Sequence, residues 1–163
     1  MSGTLYIVAT PIGNLEDITL RAIRILKEVD LILGEDTRVT KKLLIHYDTD
    51  IPILSYHQHS SEEKKLEILR NLLDGKNIAL VTDAGTPGIS DPGNELIDFI
   101  LERSDGIPIV PIPGASAITT ALSVSGFRAD KFIFLGFLPK KKKNKLFEWL
   151  KGGPSASSGR TIT

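Results

Sequence analysis

Short β-rich runs alternate with amphipathic helical patterns along this 163-residue chain. That alternation predicts an α/β fold, with a mostly parallel sheet and helices on both of its faces. Two further observations agree. Turns entering the runs are plain, as in Asp74-Gly75-Lys76 and Ser104-Asp105-Gly106, whereas the loops leaving them are long and rich in Gly, Pro and polar residues. The composition, 41% apolar and 25% charged, is that of an ordinary globular domain with enough chain to bury a core.

Each element follows from local pattern. Residues 4–10 read as a strand. Residues 17–28 read as a helix, because Ile18, Ala22, Ile25, Leu26 and Val29 fall near helical spacing. Residues 30–33 form a short apolar strand and residues 37–47 a helix. Residues 52–55 make a strand whose Pro52 suits an edge. In the helix of residues 61–73, Ser61 is a cap, Lys64 and Lys65 face water, and Leu66, Leu69, Leu72 and Leu73 face inward. Residues 77–82 read as a buried strand, and 91–102 as a helix with Pro92 in its first turn. Residues 107–112 read as a strand, 115–124 as a helix, 131–138 as a last strand and 144–150 as a last helix.

Composition excludes several classes. The chain has no cysteine, so disulfides, thiolate metal sites and a Cys nucleophile are out, and a reducing cytoplasm fits. No apolar run approaches the ~20 residues of a membrane span, and the start lacks the pattern of a signal peptide. Net charge is zero, but residues 1–139 carry 13 basic against 19 acidic side chains and residues 140–163 carry 7 against 1. The positive charge is gathered at the C-terminal end.

In a parallel sheet, ligands bind beyond the carboxyl ends of the strands. The leaving loops therefore carry the candidate site. Residues 83–93 hold three Gly and two Pro, which suits a preformed loop that a flat polar ligand such as adenosine can approach closely. The bland alternative is a long turn capped by Ser90 or Asp91. Pro111-Ile112-Pro113-Gly114-Ala115-Ser116-Ala117 runs into a helix start of small residues, either an anion site or close helix–sheet packing. Glu35 and Asp36 sit where a dinucleotide fold places its ribose acid, but no G-x-G-x-x-G accompanies them, and no P-loop motif occurs. His57 and His59 alternate, so in an extended segment both face one way; no third metal ligand has suitable spacing. His46 reads as structural, and Phe147 and Trp149 as packing residues. The run of four lysines at 140–143 is a solvated turn or a neutraliser of nucleic-acid phosphates.

Six motifs stand in order: residues 9–17, Glu35-Asp36-Thr37-Arg38, Ser55-Tyr56-His57-Gln58-His59, residues 83–93, residues 111–117 and Gly136-Phe137-Leu138-Pro139. Together they resemble the bacterial small-subunit ribosomal RNA (cytidine-2′-O)-methyltransferases, within the tetrapyrrole-methylase class of S-adenosylmethionine enzymes. The resemblance implies methyl transfer from S-adenosyl-L-methionine to a cytidine 2′-hydroxyl of 16S ribosomal RNA, free or in the 30S subunit. It further implies a homodimer, and a cofactor held between two domains. Carried over by motif, Pro11, Gly85, Thr86, Pro87, Ile89, Ser116, Ala117, Phe137 and Leu138 are the cofactor contacts. Glu35, Asp36 and His57 are the candidate acid/base groups, and Arg38, His59, Lys140 and Lys141 the candidate RNA contacts. No metal is expected. Where the class often has Asp, this chain has Thr86.

The implied division is an N-terminal methylase domain over 1–139, a basic helix and flexible linker over 140–158, and the start of a second α/β domain at 159–163. That second domain is then largely missing, and the piece alone is expected to bind cofactor weakly and to transfer little. Alternatives are a tetrapyrrole or diphthine-type methyltransferase of the same fold, or a non-catalytic module that binds RNA or a nucleotide.

Overall fold

The computed structural model describes residues 2–138, 141 and 143–152. Two compact units are present, Met1–Phe132 and Ile133–Thr163. The first holds β1 (Leu5–Val8), α1 (Leu20–Glu28), β2 (Leu31–Gly34), α2 (Thr37–His46), β3 (Ile53–Ser55), α3 (Glu62–Leu73), β4 (Ile78–Val81), α4 (Asn94–Arg103), β5 (Ile109–Ile112) and α5 (Ala117–Val124). The second holds α6 (Lys143–Gly152).

The five strands form one sheet in the order β3-β2-β4-β1-β5, every pair parallel. Alternate side chains of each strand leave on opposite faces. Leu5, Ile7, Leu33, Ile78 and Leu80 meet Ile68, Leu72, Leu96 and Ile100 of α3 and α4. Val8, Ile32, Ala79 and Val81 meet Ala22, Ile25, Leu26 and Leu44 of α1 and α2. Burying such a side chain contributes about 1.5–3 kcal/mol, so both faces drive folding. The two crossovers toward β3 run over one face and the two toward β5 over the other, as a single crossover hand requires.

Glycine fixes one close approach. A Cβ on Gly34, the last residue of β2, would lie 2.3 Å from Thr40 Oγ1, so α2 can seat against this strand end only where no side chain stands.

Three expected elements change. The helix expected from residue 17 opens as a 3-10 turn, Leu15–Asp17, and α1 follows once Thr19 Oγ1 accepts the Ala22 N–H at 3.0 Å. The helix expected from residue 91 starts at Asn94, because Gly93 takes a φ of +149° and Pro92 stays in the loop. The strand expected over 131–138 does not form among the described residues. Its apolar composition favours extension, but a strand exists only where a neighbour completes its ladder, and Phe132, Ile133 and Phe134 remain exposed.

Candidate functional site

All strands being parallel, the loops after β1, β2, β3, β4 and β5 emerge on one rim. The chains leaving β1 and β2 turn toward α1 and α2, and those leaving β3 and β4 toward α3 and α4. Neighbouring loops therefore part, and a crevice opens at each such place.

Thr10 and Gly85 hold the floor of this rim. The Thr10 N–H donates to the Gly85 carbonyl at 2.9 Å and the Gly85 N–H to the Thr10 carbonyl at 3.1 Å, an antiparallel bridge one step beyond the parallel ladder. The Thr10 hydroxyl also donates to the Thr82 carbonyl at 3.1 Å. The amide of Gly85 is thus spent inside the protein, so this residue shapes the loop rather than presenting a donor. Thr86 Oγ1 donates to the Ala115 carbonyl at 3.4 Å and joins the fourth loop to the fifth. Gly85 and Pro87 are buried, Thr86 and Ser116 half-buried, Ile89 and Ala117 exposed. Ser116 caps α5 without a side-chain bond, which leaves first-turn amides free.

Two cavities flank the loop after β4. One, of about 220 Å³, is lined by Thr10, Pro11, Gly13, Val39, Leu43 and Asp83 among others. The other, also about 220 Å³, lies on the α3/α4 side and includes Tyr56, Gln58 and Asp91. Between them the rim is acidic. The Asp83 Oδ1 accepts the Asp36 N–H at 3.1 Å and ties the second loop to the fourth. Burial, then the charges of Asp83 and Asp91, push the Glu35 carboxyl above its ordinary value. Burial also pushes Asp91 up. The Thr82 hydroxyl is buried with no well-formed hydrogen bond, although Asp91 feels it.

The candidates separate by what they already bind. Asp36 gives its carboxylate to Arg38, at 3.1 Å to Nε and 2.7 Å to Nη2, and accepts the Arg38 N–H. The guanidinium holds it down at about 2. Residues 57–60 form a turn rather than an extended segment, closed by the Ser60 N–H on the His57 carbonyl. The local pairing of Ser60 Oγ with the His57 N–H, at 2.9 Å, wins over extension, so the two histidines do not project side by side as expected. His57 Nδ1 accepts the His59 N–H at 3.2 Å, so a neutral His57 ring carries its proton on Nε2 and offers a donor there, not a base. Of the three, Glu35 has the carboxyl that its surroundings make more basic, although the Asp83 backbone partly offsets this.

Phe137 and Leu138 are exposed in the second unit, as is Lys141; Lys140 lies outside the described residues. Among the described residues no group of three or more His, Cys, Asp or Glu is placed to hold a metal, and no helix is long and apolar enough to cross a membrane. Sequence reading passed over Asp83 as a site acid, Tyr56 and Thr82. Asp83 had a visible signal, an acid directly after a buried strand.

A fully parallel sheet with a preformed Gly- and Pro-rich rim defines an α/β scaffold that binds its ligand at the strand ends. The family model of the tetrapyrrole (corrin/porphyrin) methylases matches residues 4–155, and the chain belongs to that family. Ribosomal RNA small subunit methyltransferase I of Halalkalibacterium halodurans is 54% identical over 143 residues, which covers 88% of this chain and 49% of the relative. The protein of the same name from Thermotoga maritima is 51% identical over 150 residues, 91% of this chain and 67% of the relative. The chain spans about half the length of most curated relatives it matches. Among solved structures, uroporphyrin-III-C-methyltransferase from Thermus thermophilus is 25% identical with a TM-score of 0.57, covering 78% of this chain and 55% of that one. A diphthine synthase, 15% identical with a TM-score of 0.59, shares the fold.

Proposed function

We propose that this chain is the N-terminal half of an S-adenosylmethionine-dependent methyltransferase that acts on the 2′-hydroxyl of a cytidine ribose in small-subunit ribosomal RNA. The observation that carries the reading is identity above 50% to relatives named for that RNA, over nearly nine-tenths of the chain. The same reading gives it the ribosomal RNA or 30S subunit as partner, a second copy of itself, and the cytoplasm as its place of work.

The residues present fit such a cofactor. The acidic rim of Glu35 and Asp83 suits a sulfonium cation, the free amides at the start of α5 suit a carboxylate, and the buried Thr82 hydroxyl lacks a well-formed bond. Thr86, Ile89, Ser116 and Ala117 would hold it, with Pro11 on the neighbouring wall. When bound, S-adenosylmethionine supplies an electrophilic methyl group. The chain's own work is to align the ribose oxygen, exclude water and take the hydroxyl proton. Glu35 accepts that proton on its carboxylate. Asp36 stays ionised beside Arg38 and holds the guanidinium in place, and His57 donates from Nε2 to the substrate.

The test is titration of the labelled chain with S-adenosylhomocysteine, followed by amide NMR, which detects weak binding. The expected result is saturable shifts centred on Thr86, Ile89, Ser116 and Ala117. Shifts confined to other regions, or none up to about 10 mM, would remove the cofactor from this rim.

A further inference from the structure

Tyr56, Gln58 and Asp91 line the cavity on the α3/α4 side of the rim, together with Ser90, Asn94 and Glu95. Its volume, about 220 Å³, is below the roughly 300–1,000 Å³ of sites for whole drug-sized ligands. It has room for a single ring and not for a complete nucleoside cofactor.

Three features give it a chemical polarity. Tyr56 is only 1% exposed, yet it lines the cavity, and its hydroxyl makes no hydrogen bond among the described residues. Burial and the charge of Glu95 push this phenol up to about 12, so it remains a donor. Glu95 is already paired with Lys65 at 2.8 Å, and Asn94 already donates to the Gly88 carbonyl at 2.8 Å. Asp91 has no cationic partner within 4.0 Å among the described residues, so beside the Thr82 hydroxyl its carboxylate keeps acceptor capacity for a ligand. Gln58, exposed on the turn after β3, adds an amide that can donate.

We infer that this cavity receives the base of the target nucleotide and reads it as cytosine. The inference rests on the methyltransferase reading above. Cytosine presents, along one edge, an amino donor followed by two acceptors. An unpaired carboxylate answers the amino group, and a phenol and an amide answer the ring nitrogen and the carbonyl. Uracil replaces the amino group by a carbonyl, which would face Asp91 with no hydrogen between them. The placement also serves the chemistry. Asp91 lies on the loop after β4, which the Asp36–Asp83 bond ties to the loop carrying Glu35, so a base seated here brings its own ribose to the rim where Glu35 stands. A base in this pocket has left any helical stack, as in other enzymes that work on a single nucleotide.

The experiment is amide NMR on the labelled chain titrated separately with CMP, UMP, GMP and AMP. CMP is expected to shift Gln58, Asp91 and Asn94 and to bind about fivefold or more tightly than UMP. In Asp91→Asn the preference for CMP should fall to about twofold or less, and Tyr56→Phe should weaken CMP with the rest of the spectrum unchanged. Equal affinity for CMP and UMP, tighter binding of a purine nucleotide, or no shift at these residues up to about 10 mM would overturn the inference. S-adenosylhomocysteine added to the same samples separates the two readings. Cofactor shifts without nucleotide discrimination remove only the base pocket, and absence of both removes the methyltransferase reading as well.

Discussion

Thr10 and Gly85 lie 75 residues apart and exchange two backbone hydrogen bonds, so the sheet continues for one antiparallel rung beyond its parallel strands. That rung fixes the first and fourth loops to each other before any ligand arrives.

Gly85→Ala should therefore destabilise the protein by about 1–2 kcal/mol. The φ of +92° is the cause, since a Cβ there meets nothing nearer than Ile12 Cγ2 at 3.5 Å. Thr10→Val, which removes the bond to the Thr82 carbonyl, should cost a similar ~1–2 kcal/mol by leaving a buried acceptor unmet. Urea denaturation of both single variants and the double should show non-additivity; purely additive losses would mean the two residues act apart.

Position 34 is a test of packing. Gly34→Ala should cost about 1–3 kcal/mol, because its methyl would lie 2.3 Å from Thr40 Oγ1 and that hydroxyl is bonded to the Asp36 carbonyl. Adding Thr40→Ala should recover part of the loss. An unchanged thermal midpoint in the single variant would show that α2 shifts freely, contrary to this account.

Asp36 gives a pH signature. Its carboxyl is lowered from 3.8 to about 2, first by the Arg38 side chain. A depressed carboxylate contributes stability that is present above its unfolded value and lost as pH falls through the folded one. The loss belongs to the window between about 4 and 2. Asp36→Asn keeps a capping oxygen for the Arg38 N–H but should flatten the stability profile in that window. A profile identical to that of the unaltered chain would count against the ion pair.

Glu35 has the opposite sign. Its carboxyl is raised, so the stability it allows is full at low pH and declines as pH rises through the folded value. Glu35→Gln should thus stabilise the fold at neutral pH, an effect that urea denaturation at pH 7 would detect. If Glu35 takes the ribose proton as proposed, the same change should lower methyl transfer by about 10²- to 10⁴-fold and remove the acid limb of the rate profile. A variant both more stable and fully active would dismiss Glu35 as the base and leave it an unpaired charge.

Sequence periodicity was enough to place β1 to β5 and α1 to α6 in order; from α1 to α4 the local pattern and the burial agree. It misplaced the start of α4, where Pro92 reads as a helix opener but Gly93 adopts a conformation outside the helix. It made a strand of residues 131–138, since local preference does not say whether a ladder partner exists. The contrast between plain entering turns and rich leaving loops located the rim, because a parallel sheet puts all leaving loops at one end. The spent amide of Gly85, the Asp36–Asp83 bond and the open hydroxyl of Tyr56 were not legible. Each depends on contacts between distant parts of the chain, and no single-sequence spacing encodes them.

The edge of the sheet has a dynamic consequence. Among the described residues β5 pairs only with β1, and α5 buries none of its residues. Amides of α5 should exchange with solvent faster than those of α3, whose Ile68 and Leu72 are 0% exposed. The rim thus has one side tied by the Thr10–Gly85 bridge and one, at Ser116 and Ala117, carried by a helix with no buried residue to hold it. A ligand that grips the second side orders it only on arrival, so part of its intrinsic affinity goes into quieting that helix.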